Sequence, residues 1–407
     1  MPVFTSSIEV TADYPTIKPS LNLNFARSRS LDPRITFTRA SVGTYVGRDG
    51  LVKTAGENEP RFDHDPDTLE SLGLLLEDTR TNIFANNHDP ASGASGTATK
   101  TTVQIVLPSG ETGSALETDA NDFAENYRNL TATANTNPGH LTFYAKKKTS
   151  GSTGTLTVTL EGGGTGRTFG SFSINSDTWT KITHTHDWSS SNATLRRFDA
   201  YLQTANSSDS DTSFYLAFIQ FEEGSFPTSY IPTSGSAATR ARDDATIVGE
   251  SFNSFYNQNE GSLFVESTPM YVASGINHRV CVITGDSNFT TSSAPGGINV
   301  DYEGTTLRTE LFSGSPNSAQ QGSGLTVSAG NKNKLAYGLE TNNVSVIVNG
   351  TQVGSTDTSA PMPDPMTKMG IGRRPDINTT YADGIHISSI QYYSKRLTNA
   401  QLQLLTS

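Results

Sequence analysis

Apolar and polar residues alternate with a period of two along most of this chain, and that period predicts strands. Leu141, Phe143 and Ala145 alternate with polar neighbours, as do Leu156, Val158 and Leu160 among threonines, and Phe198, Ala200 and Leu202. The alternation returns at Leu263 and Val265, at Leu307, Thr309 and Leu311, and at Leu335, Tyr337 and Leu339. Near the start, Leu21, Leu23 and Phe25 alternate, and so do Ile35 and Phe37. Two runs are apolar almost throughout: Leu72-Gly73-Leu74-Leu75-Leu76, and the stretch from Phe214 to Phe221. Continuous runs of that length suit strands covered on both faces.

Turn residues punctuate these strands. In VSVIVNGTQVG, Val344, Val346 and Val348 share one face, and Asn349-Gly350 supplies the two positive-φ residues of a tight hairpin. Gly47-Arg48-Asp49-Gly50 predicts a second tight turn between 42–46 and 51–52. Ile385 and Ile387 lie on one phase, Ile390 and Tyr392 on the other, so a bulge near Ser388-Ser389 is required. One helix is expected, at the end of the chain. Thr398 and Gln401 have the spacing of a capping box, with Leu397 and Leu402 around it.

The fold class is therefore all-β. Residues 86–236 read as a jelly-roll sandwich and residues 248–407 as a second sandwich, with a β-rich opening region over 1–85. Glu222-Glu223-Gly224 ends the strand after Phe221, and Pro227 and Pro232 forbid regular pairing beyond it. Tyr230 and Ile231 are placed to pin that departing segment. Residues 237–247, small at first and then carrying Arg240, Arg242, Asp243 and Asp244, read as a polar linker.

Composition narrows the partners. Charged residues are 17% and hydrophobic residues 34%, a mixture suited to strands with many polar turns. The net charge of −11 argues against a nucleic-acid partner. Cys281 is the single cysteine, so no intrachain disulfide forms, as expected of a protein made in a cytosol. No apolar run approaches membrane-spanning length, and MPVFTSSIEV lacks the features of a signal peptide.

Three blocks resemble known proteins. VSVIVNGTQVG followed by HISSIQYYSKRLTNAQLQLL resembles the end of concanavalin A-like, laminin-G-like lectin domains. FEEGSFPTSYIPTSGSAATRARD is similar to a segment that closes a carbohydrate-binding-module-like jelly roll in bacteriophage virion proteins. LNLNFARSRSLDPRITFTRASVGTYVGRDGLVKTAGENEPRFDHDP, with GLLLEDTRTNIF after it, resembles the N-terminal region of those proteins. The resemblance implies a head-spike, tail-fibre or related virion component, attached through residues 1–85. It implies homotrimeric assembly, other virion proteins as partners, host-surface glycan as ligand, and a virion location. A purely structural decoration or connector protein is the alternative, and a glycan hydrolase is a third reading.

Sugars stack on aromatic rings and bond to polar rims. Trp179, Trp188, Tyr201, Tyr127 and Arg128 have that chemistry in the middle region, and Trp179 shares its phase with polar Lys181 and Thr183. In the last region Asp376, Asn378, Tyr381 and Asp383 form a candidate ligand loop, where the resembled lectins hold calcium or glycan. No other cofactor is expected. Asp63-His64-Asp65-Pro66-Asp67 offers oxygen ligands without EF-hand spacing. His184 and His186 share a face but lack a third ligand. The carboxylate pair of a glycosidase is not evident; Asp301 and Glu303 come nearest. A non-enzymatic protein is expected.

Overall fold

A computed structural model describes residues 16–92, 99–119, 126–131, 138–148, 154–162, 167–174, 177–186, 195–203, 213–274, 276–285, 297–312, 320–363, 365–374 and 384–407. The fold is all-β, as the alternation predicts, with a short helix Asn399–Thr406 near the end and a single turn of helix at Gly249–Asn253.

The larger sandwich has an eight-stranded and a seven-stranded sheet. Its middle strand, Gly384–Tyr393, has Glu260–Pro269 on one side. On its other side it pairs first with Ser71–Glu77 and then with Leu21–Asn24. In the facing sheet, Thr36–Thr38 pairs with Asp244–Val248, which pairs with Lys368–Ile371. One core joins both sheets and includes Leu21, Leu23, Leu74 and Leu76 beside Leu263, Val346 and Ile390. The expected divisions at 85 and 248 thus cut through shared sheets. Strands of the opening region complete the sandwich of residues 248–407, and their apolar side chains Leu21, Leu23, Leu74 and Leu76 bury in its core.

Three local expectations hold in detail. Asn349 and Gly350 have φ of 47° and 79° between the paired strands Val344–Val348 and Thr351–Asp357. The register along Gly384–Tyr393 skips Ser388, so Ile385, Ile387, Ile390 and Tyr392 all reach the core. Gly73 lies across from that bulge with φ of 93°, and a Cβ there would fall 2.2 Å from the Ile387 carbonyl oxygen. Thr398 caps the final helix reciprocally with Gln401, and Leu397 and Leu402 pack on Phe264 and Ile347.

The smaller sandwich is inserted between Arg80–Asn82 and Ala238–Arg240, which pair antiparallel as a neck. Its five-stranded sheet runs Thr180–His186, Gly139–Lys147, Ser213–Glu223, Thr112–Asp119, Thr99–Val106. Its four-stranded sheet runs Asn126–Thr131, Leu195–Gln203, Gly154–Gly162, Arg167–Ile174. Leu141, Phe143, Val158, Ile174, Leu216 and Phe221 share their core. Phe218 adopts φ of 52° at a bulge and stacks on Tyr230 at 4.4 Å, which pins the departing segment as expected.

The neck encloses a buried ion network. Arg39, Arg61, Arg240, Glu77 and Asp243 have fully buried side chains. Arg61 bridges Glu77 at 2.6 Å and Asp243 at 2.5 Å; Arg39 meets Asp243 at 3.0 Å and Arg240 meets Glu77 at 3.1 Å. Ser229 donates its N–H to Glu77 at 2.7 Å, and Thr228 donates its N–H to Glu222 at 2.8 Å. Burial opposes ionisation of Glu77, yet Arg240, Arg61 and Ser229 together hold its carboxyl well below the usual range. Residues 237–247 are accordingly not a solvated linker: they carry Arg240 and Asp243 into this network, and strand pairing takes up Ala238–Arg240 and Asp244–Val248.

Candidate functional site

The sugar-binding residues expected in the middle region fall on two sheets. Trp179 immediately precedes the edge strand Thr180–His186 of the five-stranded sheet. Its indole N–H donates to the Val106 carbonyl at 3.0 Å, and the Lys146 ammonium lies 4.7 Å from its ring centre. The protein itself therefore uses the N–H and one side of that ring. Tyr127 and Arg128 lie opposite Asp199 and Phe198 in the four-stranded sheet, where Tyr201 lies opposite Thr157. Trp188, Asp376, Asn378, Tyr381 and Asp383 lie outside the described residues.

The candidate ion and acid groups are also engaged. The Asp65 carboxylate accepts from the backbone of Asp67 and Thr68, and Asp63 accepts from Val46 and pairs with His386 at 2.8 Å. His184 is buried against the edge of Phe172. Among the described residues no group of three His, Cys, Asp or Glu side chains could hold a metal ion. Asp301 is fully buried between Arg279 and Arg308, the latter at 2.8 Å, and Glu303 pairs with the same Arg308.

A different arrangement stands open. Residues of the larger sandwich and of the 107–112 turn of the inserted one line a cleft of about 920 Å³. Three segments build it. The Gly47 to Gly50 turn closes through Gly47 N–H to Leu51 O at 2.8 Å and Gly50 N–H to Gly47 O at 2.9 Å, and sets Arg48 on the rim. The chain leaving Leu21–Asn24 turns back through Ser28 N–H to Asn24 O at 3.0 Å and brings Arg27 and Arg29 to the lining. The third wall is the 107–112 turn of the inserted sandwich, which brings Ser109 and Glu111. Val52 N–H donates to Pro108 O at 3.1 Å and fixes that turn to the hairpin.

Half-buried Tyr45, Phe62 and His64 line the cleft from within. Phe62 also packs on the main core, and a His64 ring nitrogen lies 3.2 Å from the Val46 carbonyl. Lys53 pairs with Asp49 at 2.8 Å and holds that carboxyl below its usual range. The side chains of Arg27, Arg29 and Arg48 are exposed and have no hydrogen-bond or ion-pair partner among the described residues. The volume is that of a small-ligand site. Aromatic faces beside free guanidinium groups can stack a ring and fork an oxyanion or hydroxyl.

The sequence reading missed this site. The pattern there reads Gly47-Arg48-Asp49-Gly50 as a turn and His64 only as part of the Asp63–Asp67 run. The available signal was an arginine at a forced turn within a short reach of Tyr45 and Phe62.

No protein-family model matches the chain, and no curated protein matches it. Among solved structures, Trypanosoma rangeli sialidase is similar over 40% of this chain, at 14% identity and a TM-score of 0.30, and the match spans only 26% of the sialidase's own length. Ruminococcus gnavus IT-sialidase CBM40 bound to alpha2,3 sialyllactose is similar over 37% of this chain and 84% of its own, at 12% identity and a TM-score of 0.31. Domain 4 of AbnA, a GH43 extracellular arabinanase from Geobacillus stearothermophilus, in complex with arabinotriose, is similar over 45% of this chain and 84% of its own, at 13% identity and a TM-score of 0.28.

Proposed function

We propose that this chain is a non-enzymatic phage virion component that adheres to surface glycan through the cleft lined by Tyr45, Phe62 and the three arginines. The observation that carries the adhesive half is the open cleft of about 920 Å³, lined by Tyr45 and Phe62 and by three arginines whose side chains have no partner among the described residues. The virion half is supported by the three sequence blocks and their order along the chain. Two of the blocks supply the neck network: Arg39 and Arg61 come from the N-terminal block, Glu77 from its continuation, and Glu222, Arg240 and Asp243 from FEEGSFPTSYIPTSGSAATRARD. Single contacts of this kind are weak, and repetition of the chain on a particle would raise their combined strength.

Hydrolysis is set aside because the nearest carboxylate pair is tied down: Asp301 is enclosed by two guanidinium groups, where a general acid must be free to exchange a proton. Release of reducing ends from a bound polysaccharide would reverse this.

The test of adhesion is retention of the purified protein on immobilised bacterial surface polysaccharide. Tyr45→Ala is expected to weaken retention at least tenfold; undiminished retention removes the cleft from the reading. The virion half is tested by gold-labelled antibody to residues 248–407 on purified particles, and particles that carry none of the protein would refute it.

A further inference from the structure

We infer that the cleft selects an anionic saccharide, one whose sugar rings bear carboxylates; this rests on the glycan-adhesion reading and names its ligand class. The charge balance is the first support. The chain as a whole carries −11, yet the cleft is lined by Arg27, Arg29, Arg48 and Lys53 against only Asp49 and Glu111. A positive patch on an acidic protein draws its anion locally, because the remaining surface repels it.

The second support is the state of the arginines. At the neck Arg39 and Arg61 each meet a carboxylate within 3.0 Å, and Arg240 meets Glu77 at 3.1 Å. In the cleft, Asp49 is held by Lys53, so none of the three arginines is neutralised by it. Guanidinium groups recognise carboxylates through two parallel N–H donors, and these three side chains have no partner among the described residues.

The third support is placement. Arg27, Arg29 and Arg48 line the same cleft as Tyr45 and Phe62. A ring lying against these aromatics would have guanidinium groups within the same site to take its carboxylate. A neutral sugar would leave those groups solvated and gain only from the stacking.

Calorimetric titration of the full chain tests this with oligomers of galacturonate, of guluronate and of hyaluronan, each beside its methyl ester. Neutral oligomers of glucan, galactan and arabinan complete the set. The expected result is that at least one acid binds tenfold or more tighter than its ester, and that the difference shrinks as salt rises. The variant Arg27→Ala/Arg29→Ala/Arg48→Ala should erase the acid–ester difference, while Tyr45→Ala should weaken acid and ester alike. Equal binding of acid and ester, or of the acids by the triple variant, overturns the inference. Binding of neutral oligomers alone also overturns it and leaves glycan adhesion standing. Binding of no sugar in either set removes both.

Discussion

Arg61 and Arg48 stand in the same opening stretch of the chain and live in opposite surroundings. Arg61 is wholly buried, paired to Glu77 and Asp243, and bonded to the Thr44 carbonyl. Arg48 is exposed on the rim of an open cleft and pairs with no described residue. The contrast separates two uses of one side chain. A buried guanidinium needs fixed carboxylates, since a lone ion there would be lost to desolvation. An open, unpaired guanidinium contributes little to the fold and is free to take a ligand.

The comparison breaks first at the neck. Arg61→Ala leaves Glu77 and Asp243 buried with part of their countercharge gone, and such a loss costs about 3–5 kcal/mol. Urea denaturation of the variant should show a midpoint far below that of the parent. An unchanged midpoint would mean that the neck tolerates unpaired carboxylates and that its arginines resemble those of the cleft.

Acid should act in two steps, first in the inserted sandwich and then at the neck. His140 is buried, with one ring nitrogen 2.9 Å from the Gly224 carbonyl and the other 2.9 Å from the Thr185 hydroxyl. Burial pushes it down to about 4. The unfolded chain takes up that proton near pH 6.5 and the folded chain does not, so stability falls as pH drops from about 6.5 towards 4, by about 3 kcal/mol in all. Glu77 is depressed instead; its contribution is present above about 4.5 and is lost below that. Glu222, raised by burial, has the opposite sign: its contribution is complete below about 4.5 and is lost as pH rises through its folded value. Urea midpoints measured from pH 7 to pH 4 should fall for the parent and stay flatter above pH 5 for His140→Gln. Equal slopes would detach His140 from the effect.

The capping box lies between the extremes, paired but partly exposed. Thr398→Ala removes the acceptor that takes the Gln401 N–H at 3.2 Å and should cost about 1 kcal/mol, read as a small shift in urea midpoint. A loss as large as that of Arg61→Ala would mean that pairing matters irrespective of burial.

The features legible in the sequence are those set by neighbours in the chain. Asn349-Gly350, the Ser388 bulge and the Thr398 cap each follow from a few adjacent residues. The pairing of Leu21–Asn24 and Ser71–Glu77 with Gly384–Tyr393 joins the two ends of the sequence, and alternation says which residues are buried but not against which strand. Arg240-Ala241-Arg242-Asp243-Asp244 has the composition of a solvated connector. Only the carboxylates and arginines brought to it from elsewhere make burial of Arg240 and Asp243 possible. The cleft was illegible for the same reason, since its walls come from 26–29, 45–71 and 109–111. The residues singled out as sugar platforms are real aromatics, but the fold spends Trp179 on Val106 and Lys146 and places Tyr127 and Tyr201 in another sheet.

The smallest expected effect is the sharpest test of the comparison. Arg29→Ala or Arg48→Ala deletes an exposed cation with no side-chain partner among the described residues, so stability should change by no more than about 0.5 kcal/mol. Removing a positive charge relieves repulsion within the cleft's cluster of Arg27, Arg29, Arg48 and Lys53 while adding slightly to the self-repulsion of a chain of net −11, so the two effects oppose and the change shrinks further in high salt. Thermal unfolding at low and high salt reads both quantities. A loss of several kcal/mol, insensitive to salt, would show that Arg48 holds the hairpin as Arg61 holds the neck. The distinction between paired structural arginines and free binding arginines would then fail at the position where it is most exposed to test.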